Sequence, residues 1–206
     1  MIEVDPRITP ADLSPALSRF WEHSGTKLRR IREDYDHQQG SPVFTVGGTY
    51  TTRGWTEWTQ GFEFGAELLQ YDATGDPEFL EHGRRNTMEK MAPHLTHTGV
   101  HDHGFNNIST YGNLLRLIRE NRFEAGEGEE AAYEVALKCS GAVQAMRWSG
   151  LADGGGYIYS FNGPHSLFAD TIRSLRSLAV AHQLGHVLMQ DHDEVISLLD
   201  RLIGHA

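Results

Sequence analysis

Residues 58–91 read WTQGFEFGAELLQYDATGDPEFLEHGRRNTMEKM. Two helices and the turn that joins them are legible in this stretch. Trp58, Phe62, Phe64, Leu68, Leu69 and Tyr71 fall on several faces of a helix predicted over 56–74, so that helix is expected to be buried nearly all round. It stops at Thr74-Gly75, and Asp76-Pro77 opens the next. Glycine suits the residue just past a helix, aspartate the N-cap, and proline the first helical turn. Across the second helix, over 77–91, Phe79, Gly83, Thr87 and Met91 recur every fourth position beside Leu80 and Met88. Glu81, Arg84, Arg85 and Glu89 lie on its other side, so it reads as amphipathic and peripheral.

The alternation extends outward from this pair. Upstream, a helix is predicted over 11–34, with Pro15 tolerated near its start, followed by a loop that contains Gly47-Gly48. Downstream, helices are predicted over 106–121, 128–147, 166–184 and 191–205. The stripe of the 128–147 helix is read as Ala132, Val135, Cys139, Val143 and Met146, and that of 166–184 as Leu167, Phe168, Ile172, Leu175 and Leu178. No strand pair stands out, although 157–161 alternates at period two. The fold class is all-α. Alternating buried and amphipathic helices suggest hairpins arranged as an inner and an outer ring. An ordinary bundle shows similar stripes and is the simpler reading of pattern alone. In a ring, the inner helices all point one way, and the long connections at 35–55, 92–105 and 148–165 share the end that holds their N-termini.

The 206 residues are enough for one domain with a real core. A net charge of −10 argues against a general nucleic-acid binder, which needs a basic stripe. It leaves room for an anionic sugar, since a site can be locally basic on an acidic protein. The single cysteine, Cys139, excludes a disulfide within the chain. The N-terminal residues carry no basic and apolar signal pattern, and no apolar run has membrane-spanning length, so a cytoplasmic protein without membrane contact is expected.

Asp102 precedes the 106–121 helix and Asp170 falls in the first turn of the 166–184 helix, so both are expected at one mouth although 68 positions separate them. Each taken alone is an ordinary helix cap or dipole partner. Together they resemble the carboxyl pair that glycosidic chemistry places around a scissile bond. Two such groups resist joint ionisation, so one holds a proton near neutral pH. His94, His97, His101 and His103 crowd the loop around Asp102. His97 and His101 have a metal-pair spacing, but Pro93 and Gly99 oppose a helix there and no Glu lies between them as in a His-Glu-x-x-His site. No metal or cofactor is expected. Trp55, Trp58, Trp148 and Tyr157 are candidates for stacking on sugar faces. The glycines at 154–156 lack the order of a phosphate loop, and no nucleophile elbow is present.

Trp58-Thr59-Gln60-Gly61-Phe62 through Thr74-Gly75-Asp76, His101-Asp102-His103-Gly104-Phe105 and Asp170-Thr171-Ile172 resemble the unsaturated glucuronyl hydrolases, glycoside hydrolase family 88, which share a fold with the unsaturated rhamnogalacturonyl hydrolases of family 105. The resemblance covers roughly residues 50–190. It implies a six-hairpin α/α toroid of which this chain, a single domain over 1–206, supplies about half, incomplete at its C-terminus. It implies hydration of a 4,5-unsaturated uronyl residue at the end of a small oligosaccharide, with release of that residue. Asp170 would be the acid/base, Asp102 would position the ring, and His101 would orient Asp102. Trp55, Trp58, His103 and Arg173 would join His101 in binding substrate. Ser174 stands where the family has asparagine, and Arg173 where it has an apolar residue. A half toroid would expose apolar helix faces, to be covered by an oligomer or the missing half. The alternatives are an ordinary glycosidase on the same fold and a truncated, non-catalytic sugar-binding chain.

Overall fold

Asp76 accepts the N–H of Glu78 at 3.1 Å and Gly75 adopts a left-handed φ of 73°, so the turn at the heart of the 58–91 stretch forms as its residues dictate. A computed structural model describes residue 5 and residues 7–52, 58–152 and 154–206. In chain order the elements are α1 (Ser14–Asp34), β1 (Phe44–Val46), β2 (Thr49–Thr51), α2 (Gln60–Thr74), α3 (Pro77–Lys90), α4 (Ala92–Leu95), α5 (His103–Asn107), a π-helical turn (Ile108–Gly112) and α6 (Asn113–Arg119). There follow α7 (Glu129–Met146), β3 (Trp148–Gly150), β4 (Gly156–Ile158), α8 (Thr171–Ser174), α9 (Arg176–Gln183), β5 (Leu188–Met189), β6 (Val195–Ile196) and α10 (Leu198–His205). The chain is mainly helical, with three two-stranded antiparallel hairpins among the described residues. No helix among the described residues is long and apolar enough to cross a membrane.

Close contacts fix the helix directions. A Cβ on Gly61 would run into the backbone of Asn106, and one on Gly65 into Ser109. Residue numbers rise together along both helices, so α2 runs parallel to the continuous α5–α6 helix. On α7, Tyr133 meets Tyr111, Ser140 meets His103, and Gln144 donates to the His101 carbonyl. Here numbers run in opposite senses, so α7 is antiparallel to α5–α6. Ser174 also donates to the His101 carbonyl, while Gly141 abuts Ser177 and Ala181. Thus α9 is antiparallel to α7 and parallel to α2 and α5–α6. Three parallel helices therefore begin at one end of the molecule, each beside an antiparallel neighbour.

One apolar cluster joins α2, α3, α5–α6 and α7 through Phe64, Leu68, Phe79, Leu114, Tyr133 and Leu137. A second joins α7, β4, α9 and α10 through Ala145, Ile158, Leu178 and Leu198. Helix α1 packs Leu28 on the first cluster and is tied by charge: Arg32 pairs with Glu67, which is only 3% exposed, at 2.6 Å. Helix α2 is buried on most sides, as expected, although Leu69 is half exposed.

Several expectations need correction. Helix α7 buries Tyr133, Ala136, Leu137, Ser140, Gly141, Gln144 and Ala145, while Val135 and Met146 of the expected stripe face outward. The buried face is the one whose small and amide side chains let neighbouring helices approach and satisfy their backbone. The helix expected from 166 begins only at Thr171, so Leu167 and Phe168 lie before it, half exposed, and Ile172 within it also faces outward. The helix expected from 191 begins at Leu198, where Ser197 accepts the Asp200 N–H; the preceding residues form the β5–β6 hairpin. The strands were too short to register as periodicity. The β1–β2 hairpin did leave a signal in Gly47 and Gly48, both at positive φ in the two-residue turn.

Gly61→Ala should overpack the α2–α5 contact by about 1–3 kcal/mol and lower the melting temperature by several degrees. Gly150→Ala, whose Cβ meets open space, should leave it unchanged. Calorimetric scans showing equal melting temperatures for the two variants would rule out that close approach.

Candidate active site

Asp102 and Asp170 occupy the N-cap positions of α5 and α8. Aspartate there normally accepts a backbone N–H of the first turn. Neither side chain does so. Both turn instead toward the imidazole of His101, whose Nε2 lies 3.3 Å from Asp170 Oδ1 and 3.7 Å from Asp102 Oδ1. Two oxygens that share one nitrogen at these distances lie no more than about 7 Å apart, short of the upper limit of about 9.5 Å for two-carboxylate glycosidases. Asp170 stands in the N-cap position, one residue ahead of the first turn expected for it, and its side chain is half exposed; that of Asp102 is nearly covered. The Nδ1 of His101 is buried and has no hydrogen-bond partner among the described residues. In a neutral ring a bare acceptor there costs less than a stranded N–H, which favours the tautomer that donates from Nε2 to Asp170.

The turn that carries this group is held by buried polar side chains. The His101 carbonyl accepts from Gln144 Nε2 at 3.0 Å and from the Ser174 hydroxyl, which in turn accepts the Gly104 N–H at 2.9 Å. A Cβ on Gly104 would collide with the Ser174 backbone, so glycine is what lets α5 and α8 close on each other. Arg147, only 2% exposed, spans the two loops that lead to the aspartates. It donates to the carbonyls of Thr98, Tyr159 and Ser160 and stacks on the Tyr159 ring. Burial lowers its pKa, and the charges of Tyr159 and Asp102 oppose that loss.

Aromatic rings surround the imidazole. Phe161 stacks on His101 at 6.3 Å, and Phe168 and Phe105 meet it edge-on. Phe161 and Phe168 are about half exposed, so the group opens to solvent on an apolar shelf. Trp58, also half exposed, packs edge-on against Phe62 and Phe105, which places it at the same end. Arg173 lies exposed with its guanidinium 5.8 Å from the Phe105 ring. Trp55 lies outside the described residues.

His103 is not at the mouth. It is 2% exposed; its Nε2 donates to the His97 carbonyl at 3.0 Å, and its Nδ1 accepts from Ser140 at 3.2 Å. It ties α5 to α7 and to the loop before it, with no face left for a substrate. Trp148 packs against Arg201 and Gly204 of α10, and the Tyr157 hydroxyl donates to the Pro164 carbonyl. Neither joins the carboxylates. His94 bonds to Gln60 at 2.7 Å, so His94, His101 and His103 turn to different partners. Among the described residues no group of three or more His, Cys, Asp or Glu side chains is arranged to hold a metal.

The sequence reading missed Arg147, Gln144, Phe161 and Phe168 as parts of this site. Alternation over 157–161 hinted at Phe161; nothing local marks the buried arginine. Comparison with protein-family models, with curated proteins and with solved structures finds no match to this chain.

Burial pushes the His103 pKa down to about 4 from an ordinary 6.5. The unfolded chain therefore takes up this proton first as pH falls. The stability that neutral His103 contributes is full above pH 6.5, declines below it, and is lost by about pH 4. The loss amounts to ~3 kcal/mol. Burial also lowers the pKa of His97, His186 and His205, so the wild-type loss has several sources. In urea titrations between pH 7.5 and 4.5, His103→Gln should lose distinctly less stability than wild type. Equal losses would remove His103 as a source of acid sensitivity.

Proposed function

We propose that this chain is part of a cytoplasmic α/α-toroid glycoside hydrolase that acts on oligosaccharides ending in a 4,5-unsaturated uronyl residue. The observation that carries this reading is the convergence of Asp102 and Asp170, from two non-capping N-cap positions, on one nitrogen of His101. The toroid reading is supported by the shared direction of α2, α5–α6 and α9 and by an antiparallel helix beside each.

In this reading the solvent-open Asp170 is the acid/base. The ring C4=C5 bond is an enol ether. Asp170 gives its proton to C4, and positive charge develops at C5 and the ring oxygen. Water adds at C5 and returns a proton to the Asp170 carboxylate. The hemiketal opens, C1 becomes a hemiacetal, and the remaining sugar leaves. Asp102, nearly covered and held beside His101, positions the ring, and Trp58, Phe161 and Phe168 offer apolar faces to it. His101 is 2% exposed and orients the two carboxylates from beneath.

The test is incubation with unsaturated disaccharides from lyase digests, following the loss of ultraviolet absorbance from the double bond. Wild-type protein should consume the chromophore, and Asp170→Asn should slow it by ~10²–10⁴ with an unchanged circular dichroism spectrum. A wild-type chain that leaves the absorbance untouched would end this reading; near wild-type rates in the variant would remove Asp170 from the chemistry.

A further inference from the structure

The helices form a row from α1 through α2, α5–α6, α7 and α9 to α10, each packed on the next, and the two ends of that row differ in charge. At the first end, α1 buries only Gly25, and Leu17 and Phe20, with Leu13 just before the helix, stand exposed in a stripe on its outer side. With about 3.6 residues per turn, Arg19, His23, Lys27 and Arg30 form a band beside that stripe, while Glu22 and Glu33 fall on the far side. Arg29 and Arg32 are engaged by Asp76, Glu78 and Glu67, but Arg19, Lys27 and Arg30 are exposed and pair with no carboxylate among the described residues. Lys27 and Arg30 line an open cleft of about 430 Å³ beside the β1–β2 turn, with Ile31, Asp34, Tyr35 and Tyr50 among its other walls. At the last end, residues 187–200 hold Asp191, Asp193, Glu194 and Asp200 and no lysine or arginine. Met189 and Val195 lie opposite each other in the β5–β6 register, and both are exposed, as are Val187 and Ile203. Asp191, Asp193 and Asp200 meet no cation among the described residues, and Arg201 is stacked on Trp148.

We propose that two copies of this chain associate edge to edge, with the acidic β5–β6 hairpin and α10 of each set against the basic outer face of α1 of the other. The charge pattern selects this pairing. Helix α1 against α1 would bring two cationic bands together, and hairpin against hairpin two acidic turns, and like charges set across an interface suppress association. Only α1 against the hairpin joins opposite charges. The same pairing covers apolar side chains on both sides: Leu13, Leu17 and Phe20 on one, Met189, Val195 and Ile203 on the other. The two faces lie at opposite ends of the row, so the contact forms between molecules. A contact between unlike faces closes when the second copy returns it about a two-fold axis, the commonest symmetry of soluble oligomers. Once the first contact has formed, the second is intramolecular and gains from a high effective concentration. The closed pair leaves neither edge open, whereas a continuing string of copies would leave one at each end. The pairing makes no use of the carboxylate mouth, so it stands or falls separately from the hydrolase reading.

Sedimentation equilibrium with paired charge reversals tests this. In dilute buffer at ~100 µM, well above a micromolar Kd at the weak end for interfaces of standard size, the chain should sediment at twice its 23.1 kDa. The dimer should weaken in ~1 M salt, where the screening length falls to about 3 Å. Lys27→Glu with Arg30→Glu reverses the α1 face, and Asp191→Lys with Glu194→Lys reverses the hairpin. All four side chains are exposed, so each doubly substituted chain should keep the wild-type circular dichroism spectrum and melting temperature. Each alone should be monomeric, its association weakened ~100-fold or more. An equimolar mixture of the two should form a one-to-one dimer, because each then offers the other an opposite charge at both contacts. A chain carrying all four substitutions should pair with itself again. A wild type that is monomeric at that concentration, or that grows beyond the dimer, overturns the proposal. So does a dimer that ignores salt or survives either reversal, and so do reversed chains that stay apart when mixed.

Discussion

The carbonyl oxygen of His101 is the joint on which the working end depends. It receives one hydrogen bond from Gln144 on α7 and another from Ser174 on α8. Three separate parts of the chain thus meet at a single acceptor that has left helical geometry and would otherwise be buried unpaired, at a cost of roughly 1–3 kcal/mol. The contact of Gly104 with Ser174 locks the same junction from the other side. Because both aspartates flank this joint in space, their separation follows from backbone packing. It does not depend on flexible side chains finding each other.

Polar residues do much of the organising inside the molecule. Arg147 is taken out of water to hold three loop carbonyls, an expensive arrangement for a cation unless its donors are used. Its gain is rigidity where helices give none: the segments before α5 and before α8 are long connections, and one guanidinium ties both. His103, Asn107 and Ser140 form a second buried network, with Asn107 donating to Ser140 at 2.8 Å. Such networks specify one packing of α7 against α5, since any other rotation strands their donors. They also explain why the apolar stripe of α7 is not its buried face.

The mouth that results is asymmetric in chemistry. On one side lie carboxylates and an imidazole, on another a shelf of half-exposed phenylalanines, and along α8 and α9 a pair of guanidinium groups. These elements come from the starts of three parallel helices, where loops leave side chains free to face outward.

The sequence by itself determined the all-α class, the α2–α3 hairpin and the rough position of each long helix. These rest on local physics: capping at Asp76, a left-handed glycine at 75, and apolar periodicity across a dozen residues. It also marked Asp102, Asp170, His101 and Trp58 as unusual. It could not read the face of α7 or the role of Arg147, and it misplaced His103 at the surface. Nor did it show that residues 188–196 pair as strands. Those outcomes depend on which surfaces approach closely enough to demand hydrogen bonds, and only packed helices create that demand. Whether two aspartates capped their own helices or shared an imidazole was likewise undecided along the chain. That was settled by the tertiary structure, because Gly104 lets α8 come close enough for the turn after Asp102 and the turn after Asp170 to share Ser174.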